Sequence, residues 1–311
     1  MSGKIADSFG WKTVKYFILF FSILLFITCH DEKKPWWWVP ENIAEYPCWT
    51  PDGSKIAYRR GYQQVWIYDT LFHSTWNMFE GSSLDSRLPD FSPEGKWMVF
   101  VSGVNIYKVR LTNDWKTKIV DTTIVKLTDL GHNFFPKWSP KGNLIAFDSN
   151  AHDTSELLFR IWLMTTEGND KRMVVDVDGR QPDWSPNGDR IVYFGFFEES
   201  DAAEIVIVSP DGSNLKRLTN DSFWDQDPAW SPDGKQIAFV KDTVEYGKGA
   251  EYIYLMDTSG TKAERLTSGY EPAWSPDGKK IAFVDLDFTG EYLTLYTINV
   301  ITKKREQLVF K

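Results

Sequence analysis

One motif recurs six times along the chain and constrains its fold more than any other feature. Each copy starts at a proline, continues through an aromatic residue into a turn of the Ser-Pro-Asp-Gly type, and ends in an apolar run such as Ile-Ala-Phe. The copies occupy residues 47–58, 89–100, 136–147, 182–193, 228–239 and 272–283, and their glycines lie 42 to 47 residues apart. A period of this length indicates a repeat architecture, so the units must be assigned before any local motif is interpreted.

Each repeat is predicted to contain four short strands. In the turn, proline favours the first central position and glycine supplies a positive φ, so the segments on either side form a hairpin. A third apolar run follows, as in residues 252–256, and several units end in Lys-Leu-Thr or Arg-Leu-Thr, as in residues 217–219. Short strands at this spacing, without helical periodicity between them, are typical of a propeller blade.

The sequence therefore predicts an all-β protein, a six-bladed β-propeller with four antiparallel strands per blade, over residues 42–311. A four-stranded sheet cannot bury both of its faces alone, so the blades are expected to pack on one another around an axis. The tryptophan of the motif supplies a large apolar surface for that contact.

The six copies resemble the repeats of the TolB-like β-propeller family, relatives of the WD-repeat blade. The resemblance covers nearly all of residues 42–311 and implies the fold, whereas propellers serve many functions. TolB carries an α/β domain before its propeller, but only residues 31–42 separate Cys29 from the first predicted blade here. The resemblance therefore does not carry over an assignment to the Tol–Pal envelope system.

Residues 1–28 are predicted to be a signal or anchor segment. Lys12 and Lys15 precede an apolar run at residues 16–28, and Cys29 follows directly. This run is short for a bilayer span and has the length of the h-region of a secretory signal. The sequence "FITC" resembles a degenerate bacterial lipobox, which implies lipidation of Cys29; an uncleaved anchor and a cleaved signal are the alternatives.

Residues 29–41 are predicted to tether the propeller to a bacterial membrane outside the cytoplasm, as a periplasmic or outer-membrane lipoprotein. The stretch "PWWWVP" at residues 35–40 is expected either to sit at the bilayer interface or to cover the propeller rim. Cys48 is the only other cysteine, so lipidation of Cys29 leaves no intramolecular disulfide. We expect Cys48 to be a small buried core residue.

The chain shows no recognisable catalytic constellation. The motif serine recurs in the same context along the chain, and no copy of the motif contains histidine, so a nucleophilic role is not supported. Nucleophile-elbow, zinc-helix, phosphate-loop and paired-cysteine motifs are also missing from the sequence. We predict no enzymatic activity, no cofactor and no metal ligands, and the net charge of −8 argues against a nucleic-acid partner.

Binding is expected at the mouth, which we define as the face carrying the loops that lead into the innermost strand of each blade. These loops vary among the repeats, whereas the turns on the opposite face are uniform, and varied loops on a rigid scaffold commonly carry function. The candidate contact residues are His132, Phe135, Arg180, Trp224, Asp225, Asp227, Tyr270 and Glu271.

Aromatic side chains mixed with carboxylates and arginine are typical of a surface that contacts protein or glycan. The alternative is that Phe135 and Trp224 only pack between blades while the carboxylates are solvated. Asp225 and Asp227 are also compatible with Ca²⁺, although two carboxylates are too few to predict a site.

The sequence thus predicts a monomeric interaction or scaffold module in the bacterial envelope, with an envelope protein or glycan as its partner. The alternative is a carbohydrate-active, lyase-like enzyme working in the central channel. A metal-dependent form of it requires His132, His152 or comparable ligands to converge with Arg180 near the axis. A third possibility, an envelope sensor, has no specific sequence feature in its favour.

Overall fold

The computed structural model describes residues 43–61, 64–82, 84–111, 123–153, 158–200, 202–243, 251–287, 290 and 292–308. Glu41–Lys311 form one compact unit. The predicted signal segment, the tether with Cys29 and the stretch "PWWWVP" lie outside the described residues. None of the helices in the described part of the chain is long and apolar enough to cross a membrane.

The described residues form 24 strands. The first three blades contain β1 (Ala44–Trp49), β2 (Lys55–Arg60), β3 (Gln64–Asp69), β4 (Ser74–Asn77), β5 (Arg87–Phe91), β6 (Trp97–Ser102), β7 (Asn105–Arg110), β8 (Ile124–Lys126), β9 (Asn133–Trp138), β10 (Leu144–Ser149), β11 (Arg160–Thr165) and β12 (Arg172–Met173). The last three contain β13 (Gly179–Trp184), β14 (Ile191–Phe196), β15 (Ala203–Val208), β16 (Lys216–Arg217), β17 (Trp224–Trp230), β18 (Gln236–Asp242), β19 (Glu251–Asp257), β20 (Glu264–Ser268), β21 (Tyr270–Trp274), β22 (Lys280–Leu286), β23 (Leu293–Asn299) and β24 (Arg305–Gln307).

The strands form six sheets of four consecutive strands each, and neighbouring strands are antiparallel and hydrogen-bonded in chain order. This confirms the predicted six-bladed propeller with four antiparallel strands per blade. The first strand of every sheet is the Pro-x-Trp or Pro-x-Phe segment of the motif, and the second is its apolar run.

The motif turn joins the first two strands of each blade, as predicted. In the fifth blade the Gly234 amide donates to the Ser231 carbonyl at 2.9 Å, and the φ of Gly234 is 74°. The Ser231 hydroxyl donates to Asp233 Oδ1 at 2.7 Å and accepts from the Gln236 amide at 2.9 Å. The serine is therefore a structural residue whose hydroxyl joins the turn to the start of the second strand.

The apolar core lies between the blades rather than within them. Among the described residues it divides into six clusters, one at each interface between neighbouring blades. One cluster brings Ile56 and Tyr58 of the first blade against Ala282 and Leu295 of the last. The ring of blades is therefore closed. Cys48 is 8% exposed in the cluster between the first and second blades, which confirms the predicted core position.

The closure uses contacts that also join blades adjacent in sequence. The Trp49 indole donates to the Ala273 carbonyl across the closure at 3.1 Å. The Trp184 indole donates in the same way to the Lys137 carbonyl of the preceding blade, also at 3.1 Å. Among the described strands none is exchanged between the first and last blades, so side-chain contacts of this kind join those two blades.

The innermost strand of every blade is irregular at the residue that precedes its proline. The pairing with the second strand shifts register at this point in all six blades, and the residue has a φ between 48° and 54°. A positive φ is uncommon outside glycine, so the surrounding structure must hold this backbone in place. These six residues, which we call the bulge ring, are Tyr46, Leu88, Phe135, Gln181, Asp227 and Glu271.

Candidate functional site

The bulge ring surrounds a cavity of about 80 Å³. Its walls are the six ring residues, the proline that follows each of them, and Lys137. Small-molecule sites usually measure roughly 300–1,000 Å³, so this cavity suits a few waters or one small functional group. A larger partner would therefore contact the mouth above the cavity and place only a small group inside it.

Half of the bulge ring is apolar. Tyr46, Leu88 and Phe135 come from the first three blades in succession. The Tyr46 and Phe135 rings meet edge to face, with centroids 5.6 Å apart and planes at 76°. This geometry is favoured by aromatic quadrupoles and gives the cavity one aromatic wall.

The other half of the ring is polar and forms a relay between blades. Gln181 Oε1 accepts the Asp227 amide N–H at 3.2 Å. Asp227 Oδ2 accepts the Glu271 N–H at 3.3 Å, and Glu271 Oε2 accepts the Tyr46 N–H. Each of these ring amides therefore donates to the ring side chain of the preceding blade, which joins the last three blades to the first.

Burial makes the polar half reluctant to carry charge. It raises the pKa of Asp227 to about 6, against the opposing effect of hydrogen bonds from the Gln181 side chain and the Glu271 amide. Burial, Glu45 and Asp227 together hold the pKa of Glu271 well above its ordinary value. Nearby, burial and the charges of Asp227 and Asp242 raise the pKa of Glu251 to about 8.

A second set of charged residues lies on the innermost strands two positions after the bulge ring, towards the motif turns. Lys137 Nζ is 3.7 Å from Asp90 Oδ1, and the Asp183 carboxylate adds to its stabilisation. Asp90 and Asp183 each accept the backbone N–H of the motif tryptophan in the next blade, at 2.6 and 2.7 Å. These carboxylates therefore have structural partners, and they balance the charge of Lys137.

Aromatic and cationic side chains of the second, third and fourth blades form a stack at the mouth end of the innermost strands, in which Phe159 is buried. The Arg180 guanidinium lies 3.9 Å from the centre of the Phe159 ring, and Phe159 lies 6.0 Å from Phe134. Arg87 is 5.6 Å from the Phe134 centroid, and the His132 ring is 6.4 Å from it. Cation–π contacts of this kind orient the two arginines, and one N–H group of Arg87 also donates to the Gly103 carbonyl at 2.6 Å. We call Arg87, Phe134, Phe159 and Arg180 the arginine stack.

Six of the eight predicted contact residues lie at the channel or its mouth. Phe135, Asp227 and Glu271 line the cavity. Arg180 and His132 lie in or beside the arginine stack. Tyr270 is on the acidic side, where burial and the Glu251 carboxylate raise its pKa.

The remaining two residues have other surroundings. Trp224 meets Phe196 of the fourth blade edge to face, at 5.7 Å between centroids, within the core between the fourth and fifth blades. Asp225 is fully buried with Oδ1 3.2 Å from Lys241 Nζ, and burial raises its pKa to about 7. Asp225 therefore pairs with lysine rather than joining Asp227 around a cation.

The histidines named for a metal-dependent lyase have separate neighbours. His132 lies beside Phe134, and the His152 ring is 6.1 Å from Trp162. Within the described part of the chain, no three His, Cys, Asp or Glu side chains are grouped so that they could hold a metal ion.

Four residues that line the cavity are not among the predicted contact residues: Tyr46, Leu88, Lys137 and Gln181. The available signal was the position immediately before the proline of each motif copy. It changes from one repeat to the next, whereas the proline that follows it is the same in all six copies. Residues that vary at one position of a regular repeat are candidates for contact with a partner.

The closed ring of blades and the lined channel define this chain as a six-bladed β-propeller of the TolB type. The TolB beta propeller domain matches residues 132–308, more than half of the chain, and the chain belongs to this family.

Two relatives illustrate the range of proteins that contain such repeats. The chain is 28% identical over 177 residues to an uncharacterized protein of Agrobacterium fabrum, a match covering 50% of this chain and 57% of that protein. It is 26% identical over 222 residues to the uncharacterized peptidase YuxL of Bacillus subtilis, covering 64% of this chain and 29% of the peptidase. The chain therefore matches less than two thirds of the length of either relative.

Solved structures share the fold at low sequence identity. TolB from Acinetobacter baumannii superposes with a TM-score of 0.58 at 20% identity, covering 75% of this chain and 57% of that one. An oligogalacturonate lyase in complex with manganese superposes with a TM-score of 0.56 at 16% identity, covering 86% and 77%. At these identities the likeness concerns the fold alone.

Proposed function

We propose that this protein is a binding module of the bacterial envelope, held at a membrane by its N-terminal segment, and that its mouth contacts an envelope protein. The propeller serves as a rigid scaffold that presents the bulge ring and the arginine stack. The partner, the location and the tether are all part of this proposal.

The division of the mouth into two chemically different halves is the observation that carries the proposal. Arg87 and Arg180 flank aromatic rings on one side. Asp227, Glu251 and Glu271 are gathered on the other. Such a surface favours a partner with complementary acidic and basic groups, because charge complementarity orients the encounter and selects against wrong partners.

The face that carries the motif turns, opposite the mouth, also supports the mouth as the contact surface. Its turns use Ser, Pro, Asp and Gly to satisfy their own backbone, as Ser231 and Asp233 do in the fifth blade. Selection for a partner would act on side chains that the fold leaves free to vary, and those lie at the mouth.

The envelope location is supported by the sequence before the propeller. Lys12 and Lys15, the apolar residues 16–28 and Cys29 follow one another in the order of a lipoprotein signal. Lipidation is tested with a palmitate analogue, which should label the native chain and fail to label Cys29→Ala. Labelling that persists in Cys29→Ala would remove the lipoprotein form of the tether.

The mouth is tested with a photo-crosslinking amino acid at Leu130, in the loop before β9, where the side chain is 70% exposed. The matched control is Ile301, 86% exposed in the turn between β23 and β24 on the opposite face. We expect a discrete partner to be crosslinked from Leu130 in intact cells and not from Ile301.

The same probe is then used in an Arg87→Gln and Arg180→Gln double variant. We expect the yield of the specific crosslink to fall about ten-fold, because charge-assisted contacts are lost while the backbone is unchanged. Equal products from both faces, or an unchanged yield in the double variant, would contradict the mouth as the contact surface.

A further inference from the structure

We propose that the cavity inside the bulge ring takes an alkylammonium group, the head of a lysine side chain presented by the partner. This inference rests on the proposed function, because it names the group that the partner places in the channel.

The size and the two walls of the cavity suit this group. About 80 Å³ is room for an ammonium and its adjoining methylenes, but not for a peptide segment. Tyr46, Leu88 and Phe135 offer apolar and aromatic surface to a methylene stem. Gln181, Asp227 and Glu271 offer oxygen acceptors from the opposite side. A lysine side chain has the same division between stem and head.

The polar wall has hydrogen-bond acceptors to offer. In the described part of the chain, the ion pairs on the innermost strands join Glu45 to Arg59, Asp90 to Lys137 and Asp225 to Lys241, and none of these pairs involves Asp227 or Glu271. A carboxylate has about four acceptor sites. Glu271 uses one for the Tyr46 amide, and Asp227 uses two, for the Glu271 amide and the Gln181 side chain. An arriving ammonium would therefore find acceptors without breaking the relay.

A further buried carboxyl group holds the backbone of the polar half at Gln181. Asp148 is fully buried, and its Oδ2 accepts the Gln181 amide at 3.1 Å. Its Oδ1 has no hydrogen-bond partner among the described residues. The positive charge of Arg180 opposes the rise in the pKa of Asp148. The same guanidinium lies over the Phe159 ring. The backbone of Gln181 is thus fixed by a buried carboxyl group of the third blade.

Other occupants fit the cavity less well. A divalent cation such as Ca²⁺ takes six to eight oxygen ligands, and half of the bulge ring presents aromatic or aliphatic carbon. An anion would meet Asp227 and Glu271. A neutral alkyl group would leave the remaining acceptor sites of both carboxyl groups unused, which is unfavourable in a buried site.

The group should enter from the mouth. An ammonium approaching from the side of the motif turns would first meet the charge of Lys137, which lines that part of the cavity. At the mouth it meets Glu251 instead. The arginine stack lies across the channel, so a partner segment carrying lysine near an acidic residue would satisfy both halves.

The test uses the full chain in mild detergent and n-butylammonium chloride as the probe, followed by titration calorimetry at pH 8. We expect saturable binding of butylammonium and none of n-butanol, which shares the alkyl chain but lacks the charge. Sodium chloride at equal concentration controls for ionic strength, and calcium chloride tests the divalent alternative.

Asp227→Asn and Glu271→Gln are the informative variants. In each, the side-chain amide oxygen can still accept the backbone N–H of the ring residue in the next blade. Each should weaken butylammonium binding about ten-fold or more, since a charge-assisted bond becomes a neutral one. Asp233→Asn, which removes the same charge from a turn on the opposite face, should leave binding unchanged. Equal binding of butanol, unchanged binding in both ring variants, or binding of Ca²⁺ in place of butylammonium would overturn the proposal.

Failure of this inference is separable from failure of the proposed function. If the crosslink from Leu130 depends on Arg87 and Arg180 but not on Asp227→Asn, the mouth is the contact surface and the lysine proposal is wrong. If butylammonium binds as expected while Leu130 captures no partner, the cavity is an ammonium site and the proposed function is wrong.

Discussion

The two ends of the innermost strands share one backbone and differ in what their side chains do. At the turn end, Ser231 and Ser275 are both nearly fully buried, and each hydroxyl bonds to an Asp two residues on and to the amide that opens the second strand. At the mouth end, the backbone repeats the same positive φ in every blade, but the six side chains range from Leu88 to Glu271. The fold therefore dictates residue type at one end and only conformation at the other.

The carboxylates at the two ends also differ in electrostatic state. At the turns, the hydroxyl of the motif serine and a backbone amide lower the pKa of Asp233 and Asp277. At the mouth, burial raises the pKa of Asp227 and Glu251. Carboxylates at the turns stabilise the fold in their charged form, whereas those at the mouth cost stability when charged, as expected of groups kept for binding.

The largest effect on stability is expected from the motif tryptophans. Trp184 is 6% exposed, and its indole donates to the Lys137 carbonyl of the preceding blade. Trp184→Ala should lower the free energy of unfolding by about 3–5 kcal/mol, because it removes a large part of an interface between blades. Urea unfolding at pH 7 measures this.

Two control variants separate the causes. Trp184→Phe keeps an aromatic ring but loses the indole hydrogen bond. About 1 kcal/mol of the resulting loss in unfolding free energy is expected to come from that hydrogen bond. Leu130→Ala at the exposed mouth should change stability by less than about 0.5 kcal/mol. A loss at Leu130 equal to that at Trp184 would refute the division between structural and variable ends.

A smaller effect is expected from the motif serine. Ser231→Ala removes the acceptor of the Gln236 amide and the donor to Asp233, at a cost of about 1–3 kcal/mol. Ser231→Thr should be close to wild type, because Thr50 makes the equivalent bond to the Lys55 amide in the first blade. Urea unfolding of both variants checks this, and equal losses in the two would show that shape rather than the hydroxyl matters.

The two ends should respond to pH with opposite signs. Between pH 4 and 8 the folded protein binds protons at Asp227 and Glu251 that the unfolded chain has released, so stability should fall as the pH rises. Glu251→Gln should flatten the upper part of this slope, between about pH 6 and 8. The lowered pKa of Asp233 contributes stability that is present above its unfolded value and is lost as the pH falls through the folded one.

Urea midpoints measured from pH 3 to 8 test this prediction. Asp233→Asn is the control, since it should leave the slope above pH 5 unchanged. Stability that rises steadily from pH 5 to 8 in the native protein would contradict the buried, proton-binding character of the mouth carboxylates.

The smallest change is expected at Cys48, which lies between the two ends of β1. The thiol is 8% exposed, and burial raises its pKa, so the reactive thiolate is suppressed. In a Cys29→Ala background, a thiol reagent at pH 8 should react slowly with the folded protein and rapidly in urea. Fast labelling without urea would mean that reagent reaches the core between the first and second blades, two residues along β1 from the bulge ring.

The architecture could be predicted from the sequence because its determinants are local. Pro, Asp and Gly select the turn, alternation of apolar residues selects the strand, and the period counts the blades. The structural role of Ser231 follows from the same recurrence. These features act over a few residues, so each repeat contains its own copy of the signals for its turn and strands.

The candidate site could be predicted only in part, because it is made by contacts between distant repeats. Tyr46 reaches Glu271 across 225 positions of the chain and meets Phe135 of the third blade. Trp224 and Asp225 have the residue types of a mouth surface, yet they are committed to Phe196 and Lys241.

The sequence by itself determined the number of blades, their turns and the buried serine, since local chemistry decides those. Tertiary structure decided which residues share the channel. The bulge between Gln226 and Ala229 shifts the register of the strand, and a one-residue shift exchanges the faces to which side chains point. Closure of the ring then placed the apolar residues of the first three blades opposite the polar residues of the last three. This arrangement cannot be read from any single repeat.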